Sequence, residues 1–322
     1  MNTMDRTSRR SRITAQADNL NQALAVIEER IKNESDAPKA QERMSLIRTA
    51  PHAIAEEEEL PGVWKKRVVV ITGASSGIGL ATARHFSLYA DIVYNLGLSK
   101  QADDSINFIK CDITNADEVI AAIEKIYRKE GQIDILINNA GVGHSGSVES
   151  TRTEDVKRIM DVNFIGAMTA ISAVVPFMRE ANRGTIINIA CHSALKPLPF
   201  QAVYSASKSA LYSASNSLRA EVRPFKIKVM TVVVGYAKTD FTENRIKNDQ
   251  NDKAYKYRIS KQLGACEFAE QNGLTPEYIA GKLFKLSNYQ GNPRPLIILG
   301  AKENIKHFIS RFLPSRFLIK RG

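Results

Sequence analysis

Cysteine is scarce in this 322-residue sequence, which contains only Cys111, Cys191 and Cys266. Three widely spaced cysteines are too few for a disulfide framework or a zinc knuckle. Their scarcity favours a reducing compartment. The sequence therefore predicts a cytoplasmic protein without a structural metal site.

Long apolar stretches are also lacking. No uninterrupted apolar run approaches the roughly 18 residues of a membrane span, and no apolar core of a secretory signal is present. Glycine and proline, at 18 and 11 residues, are near average usage, which excludes collagen-like and low-complexity chains. Because 43% of the residues are hydrophobic, the chain can bury a substantial core. We expect a soluble globular protein that does not cross a bilayer.

The formal net charge of +11 is unevenly distributed. Residues 1–66 carry 11 basic and 11 acidic side chains, whereas residues 241–322 carry 15 basic and 7 acidic ones. A basic chain can bind nucleic acid, a membrane surface or an anionic ligand. No base-reading motif or interleaved basic and aromatic module supports nucleic acid. The charge therefore favours a membrane surface or an anionic cofactor.

Composition divides the chain into three parts. Residues 1–62 are predicted to be an extension, partly helical or disordered, which serves as an accessory or partner-binding helix or as an organelle transit peptide. Residues 63–301 form the predicted catalytic domain. Residues 302–322 mix apolar and basic side chains and are broken by Pro314, which is typical of an interfacial amphipathic tail. Docking of this tail on the domain or on a second subunit is the alternative.

Between residues 67 and 234, short β-branched runs alternate with helical patterns. The runs are nearly continuous in Val and Ile, which indicates strands that are covered on both faces. This pattern predicts a single α/β domain of the Rossmann type, with a doubly wound parallel sheet. Strands are expected at 67–72, 92–96, 107–111, 133–138, 185–190 and 228–234, and helices at 78–89, 116–129 and 153–179 and after Tyr204.

The first predicted strand ends in TGASSGIG (72–79), directly before a helix. Glycine lets backbone N–H groups and the positive end of the helix dipole approach a pyrophosphate. A tight turn without a ligand is the alternative. The second strand ends in YNLGLSK (94–100), which has no carboxylate to bind a ribose 2′-hydroxyl and has Ser99 and Lys100 within reach. This favours NADP(H) over NAD(H), unless Lys100 is a plain surface residue.

Tyr204 and Lys208 in YSASK lie one helical turn apart and share a face. A phenol can protonate a carbonyl or deprotonate an alcohol, and a nearby ammonium lowers its pKa. Together, TGASSGIG, NNAG (138–141), Asn163 and YSASK resemble the short-chain dehydrogenase/reductase family in order and spacing. The resemblance implies a sheet of about seven strands, NAD(P)(H) as cofactor, and Tyr204, Lys208 and Asn163 as catalytic residues.

The same resemblance implies a set of cofactor-binding residues. Asp112 is expected near the adenine, and Thr239 at the nicotinamide carboxamide. The full set is Thr72, Gly73, Ser75, Ser76, Gly77, Ile78, Gly79, Lys100, Asp112, Ile113, Asn138, Ala140, Gly141, Tyr204, Lys208 and Thr239.

The sequence departs from the family's pattern at two positions. The catalytic serine stands 13 residues before the tyrosine, where this chain has Cys191. A thiol is a weak donor, so we expect a slower enzyme, with Ser193 or His192 as substitutes if the loop is shifted. Alternatively, Cys191 is a core filler in a protein that no longer catalyses. Val234 replaces the proline that usually precedes Gly235.

The segment 236–273 is expected to form a mobile lid over the substrate. His144, Leu198 and Phe200 are predicted to line the pocket, which favours an apolar ketone or alcohol such as a lipid, steroid or retinoid. The sequence thus predicts an oxidoreductase that interconverts carbonyls and secondary alcohols, acts on a small molecule, forms a homo-oligomer and contacts membranes peripherally. A cofactor-binding sensor or scaffold is the alternative.

Overall fold

The structure is a computed structural model, and it describes residues 66–300 except residues 90, 102, 240, 242–244 and 249–252. The described residues therefore belong to the predicted catalytic domain. The predictions for residues 1–62 and 302–322 lie outside the described residues.

Seven parallel strands form the main sheet, in the order β3-β2-β1-β4-β6-β7-β9. Two further strands, β5 and β8, form a small parallel pair that lies outside this sheet. The strands are β1 (Val68–Thr72), β2 (Ile92–Gly97), β3 (Asn107–Lys110), β4 (Ile135–Asn138), β5 (His144–Ser145), β6 (Gly184–Cys191), β7 (Ile227–Val234), β8 (Ile246–Lys247) and β9 (Leu296–Leu299). The strand order reverses direction at β1, as in doubly wound sheets.

Seven α-helices connect the strands in the described part of the chain. They are α1 (Gly77–Leu88), α2 (Ala116–Glu130), α3 (Thr153–Met160), α4 (Gly166–Glu180), α5 (Ala202–Val222), α6 (Lys256–Gln271) and α7 (Pro276–Ser287). A π-helical segment, Asp161–Ile165, joins α3 to α4. Short 3₁₀ turns follow β6 at His192–Ala194 and α5 at Arg223–Phe225.

The core lies on both faces of the sheet. All five residues of β1 are buried, which requires cover on both sides because successive side chains point to opposite faces. Apolar residues of α2, α4 and the end of α5 pack together with β1, β2, β4, β6 and β7. Elsewhere, Phe86 of α1 contacts Phe284 of α7 at a ring separation of 5.2 Å. The predicted Rossmann-type architecture is therefore confirmed.

The continuous helical stretch from Thr153 to Glu180 is long and apolar enough to cross a membrane by length and composition alone. Buried core helices of water-soluble domains meet the same criteria. Here Ile171, Val174 and Met178 of α4 belong to the core of the domain. Packing against the sheet therefore accounts for the apolar character of this helix.

Candidate active site

The turn after β1 has the geometry of an anion-binding loop. Gly73 and Gly77 have φ angles of +68° and +53°, which glycine adopts without strain. A Cβ on Gly79 would lie 2.4 Å from the carbonyl oxygen of Gly73 and 2.5 Å from Nδ2 of Asn139. Helix α1 begins at Gly77, so its N-terminus faces the same turn. These features form a cradle that fits a pyrophosphate, as the sequence predicts.

The loop is held in place by hydrogen bonds from neighbouring strand ends. The Thr72 hydroxyl, which is buried, accepts from the backbone N–H groups of Asn139 and Ala140, each at 3.0 Å. Nδ2 of Asn139 donates to the carbonyl oxygens of Thr72 and Gly73, also at 3.0 Å. Oδ1 of Asn95 accepts from the N–H of Ala74 at 2.9 Å. Thr72 thus stabilises the glycine turn through hydrogen bonds to the NNAG turn.

The two adjacent amides of the NNAG motif have different surroundings, and the predicted Asn138 is not the one at the cleft. Asn138 does not line the cleft, because its side chain is buried in the sheet and donates to Oδ1 of Asn188 at 2.8 Å. Its neighbour Asn139 lines the cleft together with Ala140 and Gly141. Side chains alternate along a strand, so only one of two adjacent amides can face the site. The sequence motif alone does not show which one does.

Beyond the ends of β2 and β3, where the adenosine is predicted to lie, Leu98, Ser99, Asp112 and Ile113 line the cleft. The Asp112 carboxylate accepts from the backbone N–H and the hydroxyl of Thr114, at 2.9 and 2.8 Å, which fixes the turn after β3. Ser75, Ser76 and Ile78 of the glycine turn line the same groove.

The prediction for Lys100 is not supported by the geometry. Its ammonium pairs with Asp104 at 3.3 Å, its side chain is 62% exposed, and it does not line the cleft. The stretch after β2 offers Leu98 and Ser99 to the cleft instead, and neither is charged. The part of the cleft next to the end of β2 therefore has neither a carboxylate nor the predicted basic group among Leu98, Ser99 and Lys100.

Tyr204 and Lys208 both face the cleft from the first turns of α5, as predicted. They are nearly buried, with exposed fractions of 7% and 4%. The Lys208 ammonium donates to the carbonyl oxygen of Ile189 at 3.2 Å. It also lies close to Gly141, where a Cβ would come within 3.3 Å of Nζ. The pair is therefore fixed between α5, β6 and the NNAG turn.

Burial shifts the pKa values of both groups. It is the largest cause that raises the pKa of Tyr204 well above its ordinary value near 10, and contact with Cys191 raises it further. Burial also lowers the pKa of Lys208 to about 8. The expected lowering of the Tyr204 pKa by Lys208 is not found, because burial dominates the shift and Lys208 is not among the groups that cause it. A neutral phenol is the form that can donate a proton.

Asn163 lies in the π-helical segment between α3 and α4 and is buried. Its Oδ1 accepts from the N–H of Val142 at 2.8 Å, and its Nδ2 donates to the carbonyl oxygen of Val142 and to the Ser207 hydroxyl, each at 3.0 Å. π-helical turns are frequent at functional sites. Asn163 thus ties the NNAG turn to the helix that carries Tyr204 and Lys208.

Cys191 occupies the position next to the Tyr204 hydroxyl. It ends β6, is partly exposed, lines the cleft and lies close enough to Tyr204 to raise the pKa of the phenol. It is therefore not a core filler. Ser193 also borders the cleft, but its buried hydroxyl has no hydrogen-bond partner among the described residues. Val234 continues β7 and is the register partner of Cys191, so the strand extends where the family has proline.

Thr239 lies beside the glycine turn, where its Cγ2 would be 3.4 Å from a Cβ on Gly77. Two of the three predicted pocket residues, His144 and Leu198, line the cleft, whose volume is about 780 Å³. His144 is buried and its Nε2 lies 3.1 Å from Oδ1 of Asn248. Burial lowers the pKa of His144.

Phe200 does not line the cleft, contrary to the prediction. Its backbone has a φ of +63°, and its ring packs against Tyr255 and under the guanidinium of Arg258, both near the start of α6. A buried ion pair, Arg245 with Glu270, borders the cleft instead. No sequence motif marks this pair, because the two residues are 25 positions apart and belong to no recognisable spacing.

A doubly wound α/β domain with a glycine turn and a buried Tyr–Lys pair in one cleft is typical of nucleotide-dependent oxidoreductases. A family model described as short chain dehydrogenase matches residues 67–250. The chain belongs to the short-chain dehydrogenase/reductase family of oxidoreductases.

Relatives and solved structures agree with this assignment. The chain is 38% identical over 225 residues to a 3-ketodihydrosphingosine reductase of Bacteroides thetaiotaomicron, covering 68% of this chain and 83% of that protein. It is 27% identical over 267 residues to dehydrogenase/reductase SDR family member 7B of Xenopus tropicalis, covering 78% and 82%.

Two solved structures show the same fold. A short-chain dehydrogenase from Streptomyces avermitilis superimposes with a TM-score of 0.70 at 24% identity, over 78% of this chain and 93% of that one. A 3-ketoacyl-(acyl-carrier-protein) reductase from Brucella melitensis, complexed with NADH, gives a TM-score of 0.62 at 25% identity, over 72% and 96%.

Proposed function

We propose that this protein is an NAD(P)H-dependent reductase of long-chain ketones, of the type represented by 3-ketodihydrosphingosine. The observation that carries the proposal is the juxtaposition of Tyr204, Lys208 and Cys191 at one point of a large cleft that also contains the glycine cradle. The 38% identity to a 3-ketodihydrosphingosine reductase supports the substrate class. The NADH-bound neighbour supports a nicotinamide cofactor.

The chain's residues fit a dinucleotide along the cleft. The Gly73–Gly79 turn would hold the pyrophosphate, Asp112 and Ile113 the adenine, Lys208 the nicotinamide ribose and Thr239 the carboxamide. When bound, the reduced nicotinamide supplies a hydride to the carbonyl carbon. We propose a preference for NADP(H), since the described residues that follow β2 and line the cleft, Leu98 and Ser99, carry no carboxylate. Comparison of the dissociation constants of NADPH and NADH tests this preference.

The remaining chemistry belongs to the side chains. Tyr204 is protonated at neutral pH, because burial raises its pKa, and it donates this proton to the carbonyl oxygen as the alcohol forms. The Lys208 ammonium carries a positive charge one helical turn from Tyr204. It stabilises the negative charge left on the Tyr204 oxygen after the proton is donated. Cys191 takes the position of a second donor at the carbonyl. Asn163 orients the turn that borders the site.

The experiment that tests the proposal is a direct assay of ketone-dependent NADPH oxidation. The purified chain is expected to oxidise NADPH when 3-ketodihydrosphingosine is added. Oxidation is expected to be slower with a hydrophilic sugar ketone that has similar substituents next to its carbonyl. A catalytically silent cofactor-binding sensor is the second candidate, and Cys191 in the serine position favours it. Tight NADPH binding without turnover on any ketone would select this second candidate.

We also propose that the protein acts at a membrane surface, from the cytoplasmic side, and as a homo-oligomer. The basic and apolar composition of residues 302–322 supports membrane contact. A long-chain ketone is itself a lipid, so delivery from a bilayer would suit the proposed substrate. Light scattering of the purified chain tests the oligomeric state.

A further inference from the structure

A largely buried ion pair, Arg245 with Glu270, borders the cleft. Nη2 of Arg245 lies 2.9 Å from Oε1 of Glu270, and the two side chains are only 3% and 16% exposed. Arg245 directly precedes β8, where the N–H of Ile246 donates to the carbonyl oxygen of Gly143 at 2.9 Å. Glu270 lies near the end of α6. Both positions are therefore fixed by regular structure.

The guanidinium of Arg245 retains an unused donor. Its Nη1 is buried and has no hydrogen-bond partner among the described residues. A buried donor without a partner destabilises the fold, and more so when the group is charged. Such a cost is typical of functional sites, where the missing partner belongs to a ligand. Arg245 lines the cleft and its Nη1 is covered, so a ligand bound in the cleft reaches this donor after a small rotation of the side chain.

The pair lies close to the reacting group. A Cβ on Gly143 would contact both Cε1 of Phe241, at 3.0 Å, and Cγ of Arg245, at 3.3 Å. The Phe241 ring in turn packs on the ring of Tyr204, with centroids 5.9 Å apart. Arg245 and Glu270 also act on the pKa of Tyr204 in opposite directions, which places both within its electrostatic range. Arg245 is thus separated from the Tyr204 phenol by a single aromatic side chain.

We propose that Arg245 is a specificity-determining residue that donates from Nη1 to a neutral oxygen of the substrate, a hydroxyl a few bonds from the carbonyl that Tyr204 protonates. Glu270 holds the guanidinium in the orientation that leaves this donor free. It also neutralises the charge of Arg245, so the site favours a hydroxyl over a carboxylate, which would meet Glu270. This assignment rests on the proposed ketone reduction and narrows its substrates to hydroxy ketones.

The energetic consequence is selectivity against ketones without the hydroxyl. A site built to hydrogen-bond a substrate group discriminates strongly against an analogue that lacks it, because the buried polar group is then left without a partner. For one donor with a charged group, we expect a preference of about 100-fold in kcat/KM.

The test compares two long-chain ketones that differ only in a hydroxyl at carbon 1, a 1-hydroxy-3-ketone and the plain 3-ketone. Wild-type protein is expected to prefer the hydroxy ketone by about 100-fold in kcat/KM. Arg245→Met combined with Glu270→Gln removes both charges together, which buried pairs tolerate better than loss of one partner. This variant is expected to reduce both ketones with nearly equal kcat/KM. Arg245→Lys keeps a charge but loses the planar fork and is expected to show a reduced preference.

Arg128→Met combined with Glu124→Gln is the matched control, since this exposed pair at 2.7 Å on α2 lies outside the cleft. It is expected to keep the wild-type preference. An unchanged preference in the Arg245 and Glu270 variants, or an equal loss with both ketones, would contradict the assignment. Equal turnover of both ketones by the wild type would contradict it as well. Lack of turnover with either ketone would instead overturn the proposed function, and the assignment with it.

Discussion

Cys191 is the side chain at which the proposed site departs from the family's pattern. It stands 13 residues before Tyr204, where the family has a serine, and it raises the pKa of the Tyr204 phenol. A thiol is a weaker donor than a hydroxyl, so the carbonyl oxygen is less well polarised. Cys191 lines the same cleft as Tyr204 and Lys208, so the chain's departure from the family's pattern lies beside the proposed reacting centre.

Replacement of Cys191 by serine is expected to raise kcat for ketone reduction. A stronger donor at the developing negative charge supplies a few kcal/mol in favourable cases, and part of this, about 10-fold in kcat, should be gained here. Steady-state NADPH oxidation measures the change. Cys191→Ala serves as the control and should be no faster than wild type. If Cys191→Ser shows no gain, Cys191 has a role other than carbonyl polarisation.

The burial of the Lys208 ammonium makes the free energy of unfolding depend on pH. Its pKa of about 8 in the folded protein lies below the ordinary value of 10.5, so between these pH values the unfolded chain binds more protons. The free energy of unfolding contributed by Lys208 therefore rises as pH increases from about 8 to about 10.5, and the buried ammonium is destabilising at neutral pH.

Lys208→Met is accordingly expected to unfold at higher urea concentration than wild type near neutral pH, with an advantage that shrinks as pH rises through this interval. The variant should also lose turnover. Lys125→Met, on the exposed face of α2, is the control and should follow the wild-type pH dependence. An advantage that does not change with pH would show that the burial of charge is not the cause.

At the level of secondary-structure elements, the glycine turn carries the clearest steric requirement. Any side chain on Gly79 meets the backbone carbonyl of Gly73 and the side-chain amide of Asn139, and these two groups are held together by a hydrogen bond. The turn is therefore determined by contacts between β1, α1 and the end of β4, and not by the flexibility of glycine alone.

Gly79→Ala is expected to weaken NADPH binding by about 10-fold or more, because about 1–3 kcal/mol of local strain would displace the cradle. Fluorescence titration of NADPH measures the dissociation constant. Gly264→Ala is the matched control, since a Cβ on Gly264 of α6 meets no atom within 4 Å. Wild-type affinity in Gly79→Ala would contradict the requirement for close approach at this position.

Much of the fold could be predicted from sequence because buried parallel strands produce nearly continuous Val and Ile runs. The strand expected at 228–234 agrees to one residue with Ile227–Val234. The π-helical segment at Asp161–Ile165 was not predicted, because one widened turn barely changes helical periodicity. The two-residue strands β5 and β8 are too short to leave a pattern. The Arg245–Glu270 pair depends on tertiary contact, which spacing along the chain does not encode.

Across the whole chain, positive charge is concentrated towards the C-terminus, where residues 241–322 carry an excess of eight. Residues 1–66 are balanced in charge. This distribution suits a protein that approaches an anionic surface with one end of its sequence. It also suits a substrate that is drawn from a membrane.

The full chain is expected to co-sediment with vesicles that contain anionic lipid, and a variant ending at Ala301 to remain in the supernatant. Binding of the full chain should weaken as salt concentration rises, since the attraction is screened. A second variant, with Lys306, Arg311, Arg316, Lys320 and Arg321 replaced by Gln, keeps the apolar residues of the tail and should bind less tightly. Equal sedimentation of the full and shortened chains would exclude the tail as the contact.

The assay that tests the central claim most directly measures turnover and NADPH binding in Tyr204→Phe. Loss of the phenol oxygen removes the proton donor but leaves the glycine cradle and Lys208 in place. We predict that wild-type protein oxidises NADPH in the presence of 3-ketodihydrosphingosine, and that Tyr204→Phe binds NADPH with similar affinity but shows no ketone-dependent oxidation. Retained turnover in Tyr204→Phe would contradict the assignment of Tyr204 as the proton donor and, with it, the proposed mechanism.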